Sequence, residues 1–184
     1  MNTNNQETFI VLLKAVNVSG KNIIRMEELR KVLTDSGFGN VKTYIQSGNV
    51  VLCDEHNQEQ EVAEKIEEII NRCFNLRVPA IAILRSRFEK MIAANLLAKQ
   101  TNDGEKRLFF TFLKTPEVSQ ELKKLEQNDF SPELIKAGEG VIYTFIPENY
   151  AKSKLSNQFL EKKAGQAVTT RNLATCLRLL EMSY

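Results

Sequence analysis

The chain has 184 residues, with 25 Lys and Arg against 23 Asp and Glu, one His and no Trp. A formal charge of +2 is too near zero for a protein whose whole surface receives a polyanion, and 42% hydrophobic with 26% charged residues excludes disordered and fibrous classes and predicts a packed core. Three cysteines (Cys53, Cys73 and Cys176) without a CxxC pair, with only His56 to assist, argue against a closed zinc site or a disulfide framework, so neither metal nor cofactor is expected and the thiols should be small core residues. The opening residues carry no basic and apolar leader, and no run approaches the roughly 18 consecutive apolar residues of a membrane span. A cytoplasmic protein with no membrane partner is the expectation.

Phe9-Ile10-Val11-Leu12-Leu13 is a continuous apolar run, which suits a strand buried on both faces. After a polar loop, Met26, Leu29, Val32 and Leu33 fall at helical spacing, and Ser36-Gly37 supplies the stop. Residues 41–45 and 50–53 are rich in β-branched side chains and flank Gln46-Ser47-Gly48-Asn49, which predicts a hairpin. Val62, Ile66, Ile69, Ile70 and Cys73 form one stripe of a helix over 59–74 whose other faces carry glutamates. Residues 78–84 read as a strand, and Pro79 near its start predicts an edge position or the strand's first residues. The order β-α-β-β-α-β is that of the ferredoxin-like unit.

Phe88, Met91, Ile92 and Leu96 continue at helical spacing into Gln100-Thr101-Asn102-Asp103-Gly104, a turn cluster that places the boundary between two halves. Residues 108–113 predict an apolar strand, Pro116 the first turn of a short helix, and residues 134–137 and 141–146 a second hairpin around Gly138-Glu139-Gly140. Two more helices contain Leu155, Phe159 and Leu160, then Leu173, Leu177 and Leu180. The expected fold is α+β: two ferredoxin-like (βαββαβ-type) halves, residues 9–100 and 105–184, in one compact unit over 1–184, the second half ending in a closing C-terminal helix where the first has a strand.

The segment Leu12-Leu13-Lys14-Ala15-Val16-Asn17-Val18-Ser19-Gly20-Lys21-Asn22, with Thr43-Tyr44-Ile45-Gln46-Ser47-Gly48-Asn49-Val50-Val51 after it, resembles the opening signature of the bacterial domain-of-unknown-function 1697 family. Ser153-Lys154-Leu155 and Val168-Thr169-Thr170-Arg171-Asn172 resemble its closing signature. The resemblance runs from about Phe9 to Leu180; it implies two ferredoxin-like subdomains and no established activity. Lys14, Ala15 and Ser19 stand where the family pattern has an Arg and two Gly, and Leu173 where it has a Trp.

Candidate binding chemistry gathers on these signatures. Asn17, Gly20, Lys21 and Asn22 lie between a buried strand and a helix, where glycine-freed amides, a helix start and an ammonium suit a phosphate; Ala15 and Asn22 break any nucleotide-hydrolase loop pattern. The structural alternative is an ordinary turn with Asn22 near the helix cap. Thr169, Thr170, Arg171 and Asn172 are expected to open the last helix, a threonine capping it and the Arg171 fork facing a carboxylate or phosphate. The leading expectation is a small anionic ligand, phosphorylated or not, held between the halves where Asn17, Lys21, Gln46 and Arg171 converge. The alternatives are a nucleic-acid module using Lys152, Lys154, Lys162, Lys163 and Arg171, five basic residues against Glu161 over residues 150–171, or a protein-interaction and oligomerisation module. Tyr44 and Gln46 could face an open sheet surface, but the next strand lacks the aromatics of an RNA-recognition sheet. His56 sits in a polar run without a nucleophile near it in sequence, and no nucleophile and base pair or metal cluster can be read, so no reaction is assigned.

Overall fold

The computed structural model describes residues 6–18, 20–55, 58–97 and 107–184. His56 and the turn cluster at 100–104 lie outside them. The chain divides into two compact units, Met1–Glu89 with Leu179–Tyr184, and Lys90–Arg178.

The first unit contains β1 (Glu7–Leu13), α1 (Met26–Asp35), β2 (Gly39–Tyr44), β3 (Asn49–Asp54), α2 (Glu59–Phe74) and β4 (Ala80–Leu84), and α3 (Arg85–Ala93) follows. The strands form one antiparallel sheet in the order β2-β3-β1-β4, which is the ferredoxin-like arrangement. Phe9, Val11 and Leu13 of β1 meet Leu29 and Leu33 of α1 and Val62, Ile66 and Ile70 of α2 in one core. The alternate residues Ile10, Leu12, Val51, Ile81 and Ile83 are at most 3% exposed as well, so β1 is buried on both faces as its unbroken apolar run requires. Tyr44 is half-buried and Gln46 exposed.

Edge strand β4 would leave backbone N–H groups unpaired, and α2 supplies their acceptors. Glu59 Oε1 accepts from Leu84 N at 2.8 Å and Glu67 Oε1 from Ala80 N at 2.8 Å. Glu59 also pairs with Arg87. Buried Asp54 is matched by Lys65, whose Nζ lies 2.8 Å from Oδ2 and 4.2 Å from the centre of the Phe38 ring. At the other end of the chain, Met182 O accepts from Lys42 Nζ at 2.8 Å, Tyr184 OH donates to Glu89 Oε1 at 2.9 Å, and the Arg85 guanidinium lies 4.6 Å from the Tyr184 ring centre. These contacts clasp the C-terminal residues to the first unit.

The second unit contains β5 (Leu108–Leu113), α4 (Gln120–Lys124), β6 (Leu134–Gly138), β7 (Val141–Phe145), α5 (Asn157–Ala164) and β8 (Val168–Asn172), with sheet order β6-β7-β5-β8. The same ferredoxin-like order is therefore complete here, and α6 (Leu173–Met182) follows it directly. Residues Thr169 to Asn172, expected to open the last helix, are strand: they pair with Phe112 to Phe109 of β5. Val168, Thr169 and Thr170 are β-branched and suit a pleated ladder better than a first helical turn. The cap of α6 comes from Asn172, whose Oδ1 accepts from Thr175 N at 2.9 Å, rather than from a threonine. Pro116 does not start α4 either; Ser119 caps that helix through Leu122 N at 3.2 Å.

Leu113, Leu122, Ile135, Ile142, Leu155, Leu160 and Val168 form the core of this unit. Thr144 is 1% exposed, and its hydroxyl has no hydrogen-bond partner among the described residues. Thr144→Val removes a desolvated hydroxyl while keeping the shape, so stability in urea titration is expected to hold or to rise by about 1 kcal/mol.

Candidate functional site

The two signature loops of the first unit are built around asparagines. Asn17, at φ 55°, donates from Nδ2 to Ile24 O at 2.9 Å and Gln46 O at 2.8 Å, while its Oδ1 accepts from Ile24 N at 2.9 Å. Asn22, at φ 48°, donates to Ala15 O at 3.0 Å. Buried Asn49 donates to Tyr44 O at 3.1 Å and to Ser47 Oγ at 2.9 Å, and Gly48 O accepts from Leu13 N at 2.8 Å. The structure thus brings Asn17, Gly20, Lys21, Asn22 and Gln46 into one neighbourhood, with the asparagine amides engaged in fixing the loops. Arg25 holds the cap position of α1 with no side-chain cap, so Asn22 is not the cap. Lys21 and Gln46 are exposed, and Lys21 N already donates to Val18 O at 3.0 Å.

Ala15 has φ 53°, the left-handed region that a Cβ disfavours. The resemblance of the opening segment implies a glycine at this position. Ala15→Gly is expected to raise the thermal midpoint, with a gain of about 1 kcal/mol from relieved backbone strain, reduced by the looser unfolded chain. An unchanged or lower midpoint would contradict it.

In the second unit, Arg171 Nη1 donates to Thr169 Oγ1 at 2.8 Å and to Thr170 O at 2.9 Å. Thr170 Oγ1 donates to Asn157 Oδ1 at 2.9 Å and lies 2.9 Å from Thr111 Oγ1. Burial lowers the Arg171 guanidinium to about 10, so it remains a cation at neutral pH. Burial raises the Cys176 thiol, which stays protonated and is not a nucleophile. Cys73, expected in a core, is exposed at the end of α2, and Cys53 is half-buried. Thr169, Thr170, Arg171 and Asn172 bind strand, helix and cap together within their own unit. The proposed basic patch is divided too: Lys163 lies 3.5 Å from Glu121, while Lys152, Lys154 and Lys162 are exposed.

Beside the Ser153-Lys154-Leu155 segment lies a cleft of about 160 Å³ with Phe130, Pro132 and Pro147 in its walls and Glu133, Glu148, Lys152 and Lys154 at its border. Glu133 Oε2 accepts from Ser153 Oγ at 3.0 Å and from Leu155 N at 3.3 Å, which fixes the backbone that carries Lys154. The Ser131 hydroxyl, and to a lesser degree Lys154, hold Asp129 below the usual carboxylate range. Lys152 makes no ion pair among the described residues. Two larger clefts each carry two acids and one base, Glu67 and Glu68 with Arg77 in one and Glu126 and Glu139 with Lys123 in the other, against two of each in the Lys152 and Lys154 cleft, so they oppose an anion more. The walls come from separate loops and leave no periodic trace in the sequence; only the lysines and the Ser153-Lys154-Leu155 segment signalled the place. Among the described residues no group of three or more His, Cys, Asp or Glu is arranged for a metal ion, and no helix is long and apolar enough to cross a membrane.

Two antiparallel sheets of this order in one chain define a tandem ferredoxin-like α+β protein. The chain belongs to the family described as "Protein of unknown function (DUF1697)", whose model matches residues 6–143. That match takes in both opening loops and ends before Ser153-Lys154-Leu155 and Thr169 to Asn172. The solved structure of conserved bacterial protein SP0830 from Streptococcus pneumoniae is similar over 97% of this chain and 99% of that one, with a TM-score of 0.77 and 25% identity. No curated protein matches.

Proposed function

We propose that the protein binds a small organic anion, a carboxylate or phosphate ester, at the Lys152 and Lys154 cleft of the second unit. The observation that supports this most is a cleft with Phe130, Pro132 and Pro147 in its lining and two exposed ammonium groups, set against Glu148 and against Glu133, whose carboxylate is engaged by Ser153 and Leu155. A few convergent polar groups over an apolar floor are what a small-molecule site needs. The alternative place for the anion is the exposed Lys21 loop, and the test separates the two. Thermal unfolding is followed with a panel of phosphorylated metabolites, dicarboxylates and inorganic phosphate. A ligand at ~100 times its Kd adds about 2.7 kcal/mol to the native state, roughly 5–10 °C for a chain of this size. The shift is expected to disappear in Lys152→Ala with Lys154→Ala and to persist in Lys21→Ala. Loss in Lys21→Ala alone would move the site to the loop, and no shift with any anion would end the proposal.

A further inference from the structure

Half of the six large hydrophobic residues exposed among the described residues fall on the two short signature loops: Val18 at 54%, Ile23 at 68% and Ile45 at 51%. Each is one residue from a member of a single hydrogen-bonded set, since Asn17, next to Val18, is bonded to both Ile24 and Gln46, the neighbours of Ile23 and Ile45. With consecutive Cα atoms about 3.8 Å apart, the three belong to one neighbourhood of the surface. Ile45 keeps φ 49°, a conformation a β-branched residue adopts only when its surroundings impose it. The Asn17 bonds tie the two loops to each other, which lowers the ordering cost of binding.

The chain segment that carries Val18 and Ile23 is basic. Residues 8–26 contain Lys14, Lys21 and Arg25 and no Asp or Glu. The Arg25 side chain is 82% exposed although Glu28, in the first turn of α1, lies 3.8 Å from it. Exposed aliphatic side chains on a basic segment complement aliphatic side chains flanked by carboxylates. It lacks exposed aromatic rings on which bases could stack, which disfavours a nucleic acid. We propose that this two-loop surface docks an acidic polypeptide segment of another protein through aliphatic anchors. The site is separate from the lysine cleft, and neither reading depends on the other.

A displayed library of random short peptides is selected on the full chain, and an enriched peptide is synthesised and its binding followed by fluorescence anisotropy. The expected winners carry Leu, Ile or Val flanked by Asp or Glu. Their affinity should fall about tenfold or more in Ile23→Ser, in Ile45→Asn and in Lys21→Glu, and should weaken with salt. Asparagine tolerates the left-handed backbone at position 45, so that variant stays folded, as an unchanged thermal midpoint will verify. Absence of acidic aliphatic winners, or equal binding by Ile23→Ser, overturns the proposal. So does binding to phosphatidylserine vesicles that the same substitutions abolish while the peptide remains bound, or self-association in gel filtration that Ile23→Ser removes.

Discussion

Gly48→Ala is expected to cost about 3 kcal/mol of folding stability, the largest loss from any single added methyl group in the first unit. Gly48 has φ +72°, where a side chain costs about 1–2 kcal/mol. An added Cβ would also stand 2.7 Å from Leu13 Cβ and 3.3 Å from Val16 Cβ. Leu13 is fully buried and cannot retreat, so a further ~1–3 kcal/mol of overpacking is added. Gly37 supplies the control: it has φ +96° with nothing within 4 Å of an added Cβ. Gly37→Ala should show only the backbone cost of about 1–2 kcal/mol. Urea titration of both variants measures the difference, and equal losses would show that the Leu13 contact yields.

Asn17→Ala is expected to cost about 3 kcal/mol as well, by a different route. It leaves Ile24 N, Ile24 O and Gln46 O without the partners Asn17 supplies; Ile24 is only 1% exposed, so water does not easily replace its two bonds, whereas the exposed Gln46 O can turn to water. Each stranded buried group costs roughly 1–3 kcal/mol. Alanine also fits φ 55° less well than asparagine. Asn17→Asp should be no milder, because a carboxylate would face the Ile24 and Gln46 carbonyl oxygens where an amide donated. Hydrogen exchange gives the local readout: protection of the Ile24 amide should fall in Asn17→Ala, which removes the oxygen that accepts from it, and retained protection in that variant would contradict the assignment.

Periodic segments were legible in the sequence because their burial is set by local spacing. The glutamate-covered stripe of α2 and the apolar run of β1 each admit one environment. Thr169 to Asn172 was not legible, since polar β-branched residues before Leu173 fit a helix cap and an edge strand equally; the pairing with β5, 59 residues away between Thr111 and Thr170, decides between them. Cys73 lies on the apolar stripe but in the final turn of α2, past the covered part. Of the candidate site, the clustering of Asn17, Lys21 and Gln46 near one loop pair was readable as motif. That Asn17 spends its amide on a carbonyl 29 residues away was not. Phe130, Pro132 and Pro147 come together only through folding, with no spacing rule to announce them.

The clasp of Met182 and Tyr184 on Lys42, Arg85 and Glu89 bears on the order in which the molecule is completed during synthesis. Tyr184 follows Glu89 by 95 residues, a delay of about 5–20 s at ~5–20 residues per second on a ribosome. All four strands of the first sheet have been made by Leu84, but their fastening to Tyr184 follows only after the second unit. The contiguous residues 90–178 of the second unit are made entirely within that interval. Translation thus finishes the inner segment of the chain before the outer one can be sealed.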